Sequence, residues 1–304
     1  MRYVFGPVPS RRLGFSLGVD LTGRKRCSLD CVYCQLGSTS RTTVARRQYV
    51  PVEAILRELR KVLRTKQQID FITLSGSGEP TLNSGIGPLI QAIKKITDIP
   101  VAVLTNGTTL TKASVAKALL AADMVAPSLD AASQAVFRKV NRPHESLKIS
   151  EIVKALAEFR RKFSGQIWLE ILFVKGVNDS AEHVAKLVRQ VARIRPDKVH
   201  LNTVVRPPAE SDAKPVCRTF LRRIAGKFTP RAEVIASFSS RHQSKSTDNS
   251  AERIVRMARR RPVTSQDICN GLGLHANEAL KVIQQLLRRK RLTGKIHRGK
   301  RYYE

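Results

Sequence analysis

The chain has 304 residues, 42% of them hydrophobic, with 55 Lys and Arg against 24 Asp and Glu, a formal net charge of +31. That apolar content supports one large or two modest cores, and no run of about 18 apolar residues is present to span a membrane. The basic excess exceeds what solubility needs and points to a polyanionic partner, nucleic acid above all.

The start, Met1 to Pro9, has no apolar leader segment, so no signal peptide is expected. Residues Phe5–Gly14 are punctuated by Gly and Pro and read as a basic loop. Phe15–Leu21 alternates as a short strand and runs straight into a cysteine-bearing loop. Pro51 at a first helical position opens a helix over Val52–Arg64. Strands then follow at Asp70–Leu74, Val101–Thr105, Met124–Asp130, Trp168–Val174 and Lys198–Val205. Helices are expected at Gly87–Ile96, Lys112–Ala122, Ile149–Phe163 and Ala181–Ile194. Repeating strand–helix units predict a parallel sheet with helices outside. Six units fall short of a closed eight-unit barrel. The expected fold class is therefore α/β, a partial (βα)6 TIM-like barrel over residues 1–240.

A helix over Phe220–Phe228 and a last strand over Glu233–Phe238 complete that part. Ser239–Ser250 holds no aliphatic residue, and a linker is expected over 241–250. Residues 251–304 form a second, small domain. Helices are expected at Ala251–Arg260, at Ser265–Asn270 with Thr264 as N-cap, and at Asn277–Arg289 with Ala279, Leu280, Val282, Ile283, Leu286 and Leu287 inward. A hairpin over Leu292–Tyr303 turns at Arg298-Gly299. This order resembles a winged helix-turn-helix with the third helix as reader. The segment carries 14 Lys and Arg against 4 Asp and Glu, a net +10.

The chemistry centres on Cys27-Ser-Leu-Asp-Cys31-Val-Tyr-Cys34, which gathers three of the five cysteines into eight residues. Three thiolates so close can bind three irons of a [4Fe–4S] cube and leave the fourth iron open to a substrate. A structural zinc site is the competing reading, since the C-x-x-C pair invites it. Cys217 and Cys269 lie far apart and supply no second cluster.

CxxxCxxC with Tyr33 before the third cysteine resembles the signature of the radical S-adenosylmethionine (SAM) enzymes, and the likeness runs over roughly residues 10–210. It implies that SAM chelates the open iron and that an electron from the cluster releases a 5′-deoxyadenosyl radical. It also implies a reducing electron donor such as flavodoxin or ferredoxin and a reducing, cytoplasmic location. Ser77-Gly78-Glu79-Pro80 resembles the family's GGE loop, with Glu79 toward the SAM ammonium and Ser77 in place of a glycine. Thr105-Asn106-Gly107 resembles the loop near the methionine portion. Ser128 and Asp130 match the place where ribose or carboxylate is bound. Tyr33 is assigned to adenine, and Asn202 to adenine or substrate. Arg142, His144 and Arg206 are candidates for an anionic substrate. Glu170, inside a strand, is expected to face the lumen.

CxxxCVYC, the GEP loop and the TNG loop are similar to those of the tRNA wyosine-base synthases. Those enzymes carry further cysteines upstream, and no cysteine precedes Cys27 here. The leading expectation is a one-cluster radical SAM enzyme acting on RNA, tRNA in particular. Two alternatives stand beside it: a glycyl-radical-type activating or peptide-modifying enzyme, and a redox-sensing DNA-binding regulator.

Overall fold

The computed structural model describes residues 2–10, 12–65, 67–235, 250–274 and 276–304. The linker expected at 241–250 falls outside the described residues except for Ser250, and so do residues 236–238 of the last expected strand.

Eight strands form one sheet in strict chain order. They are β1 (Val4–Ser10), β2 (Gly14–Asp20), β3 (Phe71–Ser75), β4 (Val101–Thr105), β5 (Met124–Pro127), β6 (Gln166–Phe173), β7 (Lys198–Thr203) and β8 (Glu233–Val234). β2 to β8 pair parallel, and β1 pairs antiparallel with β2. β1 and β8 are the two ends of the sheet, so it curls without closing: a partial barrel. The connecting helices are α1 (Val52–Leu63), α2 (Ile86–Ile96), α3 (Ala113–Leu119), α4 (Gln134–Val140), α5 (Ile149–Lys162), α6 (Ala181–Ile194) and α7 (Arg218–Ala225).

Strand periodicity divides the side chains between two faces. Leu17, Val19, Ile72, Leu74, Val103, Leu169, Ile171 and Leu201 pack outward in the main core with α1 to α7. Ser16, Thr73, Ser75, Leu104, Ser128, Glu170, Leu172 and Asn202 face inward onto a cavity. The outer face is held by apolar burial, about 1.5–3 kcal/mol for each fully buried Leu or Ile. The inner face is largely polar. Below the cavity, Leu13, Ala102, Met124, Ala126 and Trp168 form an apolar floor.

The expectation for the N-terminal segment needs correction. Phe5–Gly14 is not all loop: Val4–Ser10 is strand β1. The Gly6-Pro7 pair is absorbed by a register shift between Phe5 and Val8, with Gly6 at φ +99°. An edge strand tolerates prolines because one side of it donates to nothing. α4 was not anticipated, being too short to show helical periodicity.

The C-terminal segment forms α8 (Ser250–Ala258), α9 (Ser265–Leu272), α10 (Ala276–Arg288) and a hairpin, β9 (Gly294–His297) and β10 (Lys300–Tyr303). Thr264 caps α9 in a reciprocal capping box with Asp267. Ile254, Val255, Ile268, Leu272, Ala279, Ile283, Leu286 and Tyr303 make a core of their own, against which Val8 of β1 also packs. Leu280, expected inward, is exposed. This unit rests on the barrel: α8 and α9 contact β1, and the Tyr302 hydroxyl donates to the Val205 carbonyl at 2.8 Å, just after β7. It therefore bridges the two sides of the sheet's opening.

Candidate active site

The cysteine loop leaves the C-terminal end of β2 and is stitched to the segment after α4. The Asp30 N–H donates to the Asn141 carbonyl, the Val32 N–H to Val140, and the His144 N–H to Ser28, all at 2.9–3.0 Å. Arg142, at φ 42°, pairs with Glu210 at 2.5 Å and lies 3.8 Å from Asp30. The His144 ring meets Ser146 and is half-buried. These two substrate candidates are scaffold of the loop and do not line the cavity.

A side-chain N–H lies beside each of the loop's three sulfurs. Asn106 Nδ2 lies 3.4 Å from Cys27 Sγ, Asn141 Nδ2 3.3 Å from Cys31 Sγ, and Lys25 Nζ 3.3 Å from Cys34 Sγ. Burial, then the charge of Glu79, pushes the Cys27 thiol up to about 12, and burial raises Cys31 as well. As bare groups these two hold their protons, and a bound metal's positive charge is what would make them ligands. Among the described residues, no three Cys, His, Asp or Glu side chains converge as they would round a single metal ion. A cube places its cysteines on separate irons and needs them further apart than one zinc does. Three cysteine sulfurs in one loop, each beside an N–H, are the soft donor set such a cube takes.

Beside Cys34 lies a cavity of about 400 Å³. Of the expected site residues, Tyr33, Ser128, Asp130, Asn202 and Arg206 line it, together with Glu170. The Tyr33 hydroxyl donates to Asp130, and Asp130 also accepts from Asn141 Nδ2 and the Leu172 N–H, each at 2.8 Å. Burial nevertheless raises the Asp130 carboxyl to about 6. Asp130 thus ties the cysteine loop, the exit of α4 and β6 together at the cavity wall. Glu170 pairs with Arg12 and accepts from Asn202 Nδ2 at 2.8 Å.

Ser77, Gly78, Glu79, Thr105 and Asn106 stand behind that wall. Glu79 is 2% exposed. One of its oxygens accepts from the Thr105 hydroxyl at 2.7 Å and the Thr81 N–H at 3.1 Å; the other accepts from the Asn106 N–H at 2.6 Å. Burial raises its pKa, opposed by these same donors. Glu79 therefore braces the TNG loop, which in turn presents Asn106 to Cys27. The wall itself takes Ser75 and Gly76 from this loop. Gly78 is required by close approach, since a Cβ there would meet the Arg26 carbonyl oxygen at 1.8 Å.

Sequence reasoning missed the contributions from either end of the chain. Arg12 from the β1–β2 turn and Met257, Arg260 and Arg261 from the C-terminal unit all line the cavity. Arg260 pairs with Asp20, which is 1% exposed and also accepts from Ser77 Oγ at 2.7 Å. Burial works against the Asp20 charge, but Ser77, the Thr22 N–H and Arg260 together hold its pKa below the usual value. Nothing in the local pattern around Arg260 signals this partner, 240 residues away.

The Radical SAM superfamily model matches residues 24–188, more than half of the chain. A UPF0026 protein of Helicobacter pylori is 31% identical over 301 residues, covering 96% of this chain and 94% of that one. The chain belongs to the radical SAM superfamily and to the UPF0026 family. As a member of that superfamily it is accordingly an enzyme that uses a [4Fe–4S] cluster and SAM. A Brachyspira hyodysenteriae protein described as GTPase Obg is 36% identical over 296 residues; the alignment spans 96% of this chain but only 43% of that protein's length. A dual-specificity RNA methyltransferase RlmN of Oleidesulfovibrio alaskensis is 26% identical over 212 residues, 65% of this chain and 56% of that one. Among solved structures, a radical SAM methyltransferase from Sphaerobacter thermophilus aligns over 72% of this chain and 65% of its own, at 17% identity and a TM-score of 0.51. That likeness establishes the shared fold. No helix among the described residues is long and apolar enough to cross a membrane.

Proposed function

We propose that this radical SAM enzyme modifies a nucleotide of RNA, with tRNA the first candidate. The observation that carries the reading is the placement of the C-terminal unit. A segment of net charge +10 supplies Met257, Arg260 and Arg261 to the same cavity wall as Cys34 and Tyr33. A polyanion gripped by that unit is thereby held at the reaction centre. The whole-chain charge of +31 and the similarity to an RNA methyltransferase support the same reading.

Cys27, Cys31 and Cys34 would hold the cluster, and Tyr33, Ser128, Asp130 and Asn202 would line the SAM pocket. When bound, the cluster and SAM supply reductive cleavage to a 5′-deoxyadenosyl radical, fed by a donor of the flavodoxin or ferredoxin kind. The chain's own residues do the rest. The Asp130 hub fixes the loop, Glu79 braces Asn106 against it, and the C-terminal unit, in its arrangement a winged helix-turn-helix, covers the opening and limits water.

The test is anaerobic turnover with total RNA from cells lacking the protein, read by nucleoside mass spectrometry. A nucleoside whose mass changes only with enzyme, SAM and reductant is expected. SAM cleavage with no altered nucleoside would overturn the RNA reading.

A further inference from the structure

The C-terminal unit offers two basic surfaces, and they face different places. The reader helix of a winged helix-turn-helix is its third helix, here α10, with Lys281 and Arg288 exposed. α10 packs on α8 and α9, and none of its described residues lines the central cavity or the groove on the unit's other side. The second surface lies on the other side of the unit. There a groove of about 620 Å³ runs between Val204-Val205-Arg206, at the exit of β7, and the first turn of α9 with the hairpin.

This groove is built rather than incidental. The hydrogen bond from Tyr302 to the Val205 carbonyl pins the hairpin to the barrel. Arg206, 6% exposed, lies in the groove with its Nε buried and without a partner, and its Nη2 is 3.6 Å from Asp267. His297 also lines it, with a buried, unpartnered Nε2. Arg298, Lys300 and Arg301 line it, are exposed, and form no ion pair among the described residues. Asp267, the one carboxylate among the described residues that line the groove, is engaged by the Thr264 cap and by Arg206. Thr264, Ser265 and Gln266 add neutral donors at a helix start.

We propose that this groove seats the phosphodiester backbone of the substrate RNA, with Arg206 as the anchor and Arg298, Lys300 and Arg301 as outer contacts. The proposal rests on the RNA reading above. Guanidinium forks match phosphate oxygens, and a buried donor without a partner is costly until an anion meets it. Arg206 lines both the groove and the central cavity, so a strand lying in the groove delivers one nucleotide to the cavity mouth. Unlike the usual winged-helix arrangement, the reader helix is then a bystander.

Full-length protein is titrated with fluorescently labelled bulk tRNA at several salt concentrations. The variants are Arg298→Glu/Arg301→Glu in the groove and Lys281→Glu/Arg288→Glu on α10, each checked for an unchanged melting profile. The groove pair is expected to weaken binding at least tenfold and lower the salt slope by about 2, one per lost phosphate contact. The α10 pair is expected to stay within about threefold of wild type. Loss of binding in the α10 pair but not in the groove pair, or in neither, overturns the groove while leaving the RNA reading intact. Wild type that binds polyglutamate as tightly as tRNA overturns it in favour of an acidic peptide. Wild type that binds no tRNA overturns the RNA reading and the groove with it.

Discussion

Arg260 of the C-terminal unit and Asp20 at the end of β2 form an ion pair at the cavity wall, with Ser77 Oγ 3.2 Å from the same guanidinium. The pair joins the last part of the chain to the strand that feeds the cysteine loop. Asp20 is buried but has other donors in Ser77, Thr22 and Gly23. Arg260→Met is therefore expected to cost about 1–3 kcal/mol rather than the larger penalty of a fully orphaned charge, read by urea denaturation. Asp20→Asn in the Arg260→Met background should then cost less than it does in wild type, the mark of coupling in a double-mutant cycle.

Asn106 and Asn141 bring amide N–H groups to Cys27 and Cys31. Such donors stabilise the more negative reduced cluster and raise its potential. Asn106→Ala is expected to make reduction about tenfold less favourable, roughly 59 mV lower for one electron. An EPR-monitored redox titration of reconstituted protein measures this. An unchanged potential would show that the amide serves only the loop's shape.

Gly78→Ala should be among the worst small substitutions in the barrel, costing at least about 3 kcal/mol, because the obstructing atom is a backbone carbonyl that cannot rotate away. Gly226→Ala, at φ −71° with open space around it, is the control and should change stability by less than about 1 kcal/mol.

His200 is 2% exposed, and burial, with Arg12 adding to it, lowers its pKa to about 4. Between about 4 and the ordinary 6.5, the unfolded chain takes up a proton that the folded chain refuses. Stability contributed by neutral His200 is thus complete above 6.5 and lost as pH falls toward 4, by up to about 3 kcal/mol. Asp130 acts oppositely: its raised pKa means the fold keeps a proton there, so stability falls as pH rises toward 6. Comparing urea denaturation of wild type and His200→Gln from pH 4.5 to 7 isolates the histidine. The variant should lack its acid-side loss.

What the chain discloses on its own follows from how far each signal reaches. The six strands beginning with Phe15–Leu21 were legible because parallel strands are apolar runs bounded by turn residues. Glu170 stood out because a charge inside such a run demands a reason, and it does face the cavity. β1 was hidden because an edge strand can carry Gly6-Pro7 in a bulge. Arg142 and His144 looked reactive because a loop after a strand is where barrels keep their chemistry. That this loop instead holds the cysteine loop in place depends on hydrogen bonds spanning more than a hundred residues. Arg12 and Arg260 were invisible for the same reason: their partners lie on distant strands.

The most direct measurement is anaerobic incubation of reconstituted protein with SAM and dithionite, with 5′-deoxyadenosine quantified by chromatography. Wild type is predicted to form it, and Cys27→Ala, Cys31→Ala and Cys34→Ala are each predicted to form none. Wild type that carries its full iron and sulfide yet yields no 5′-deoxyadenosine, or that binds zinc at these cysteines instead, would contradict the account.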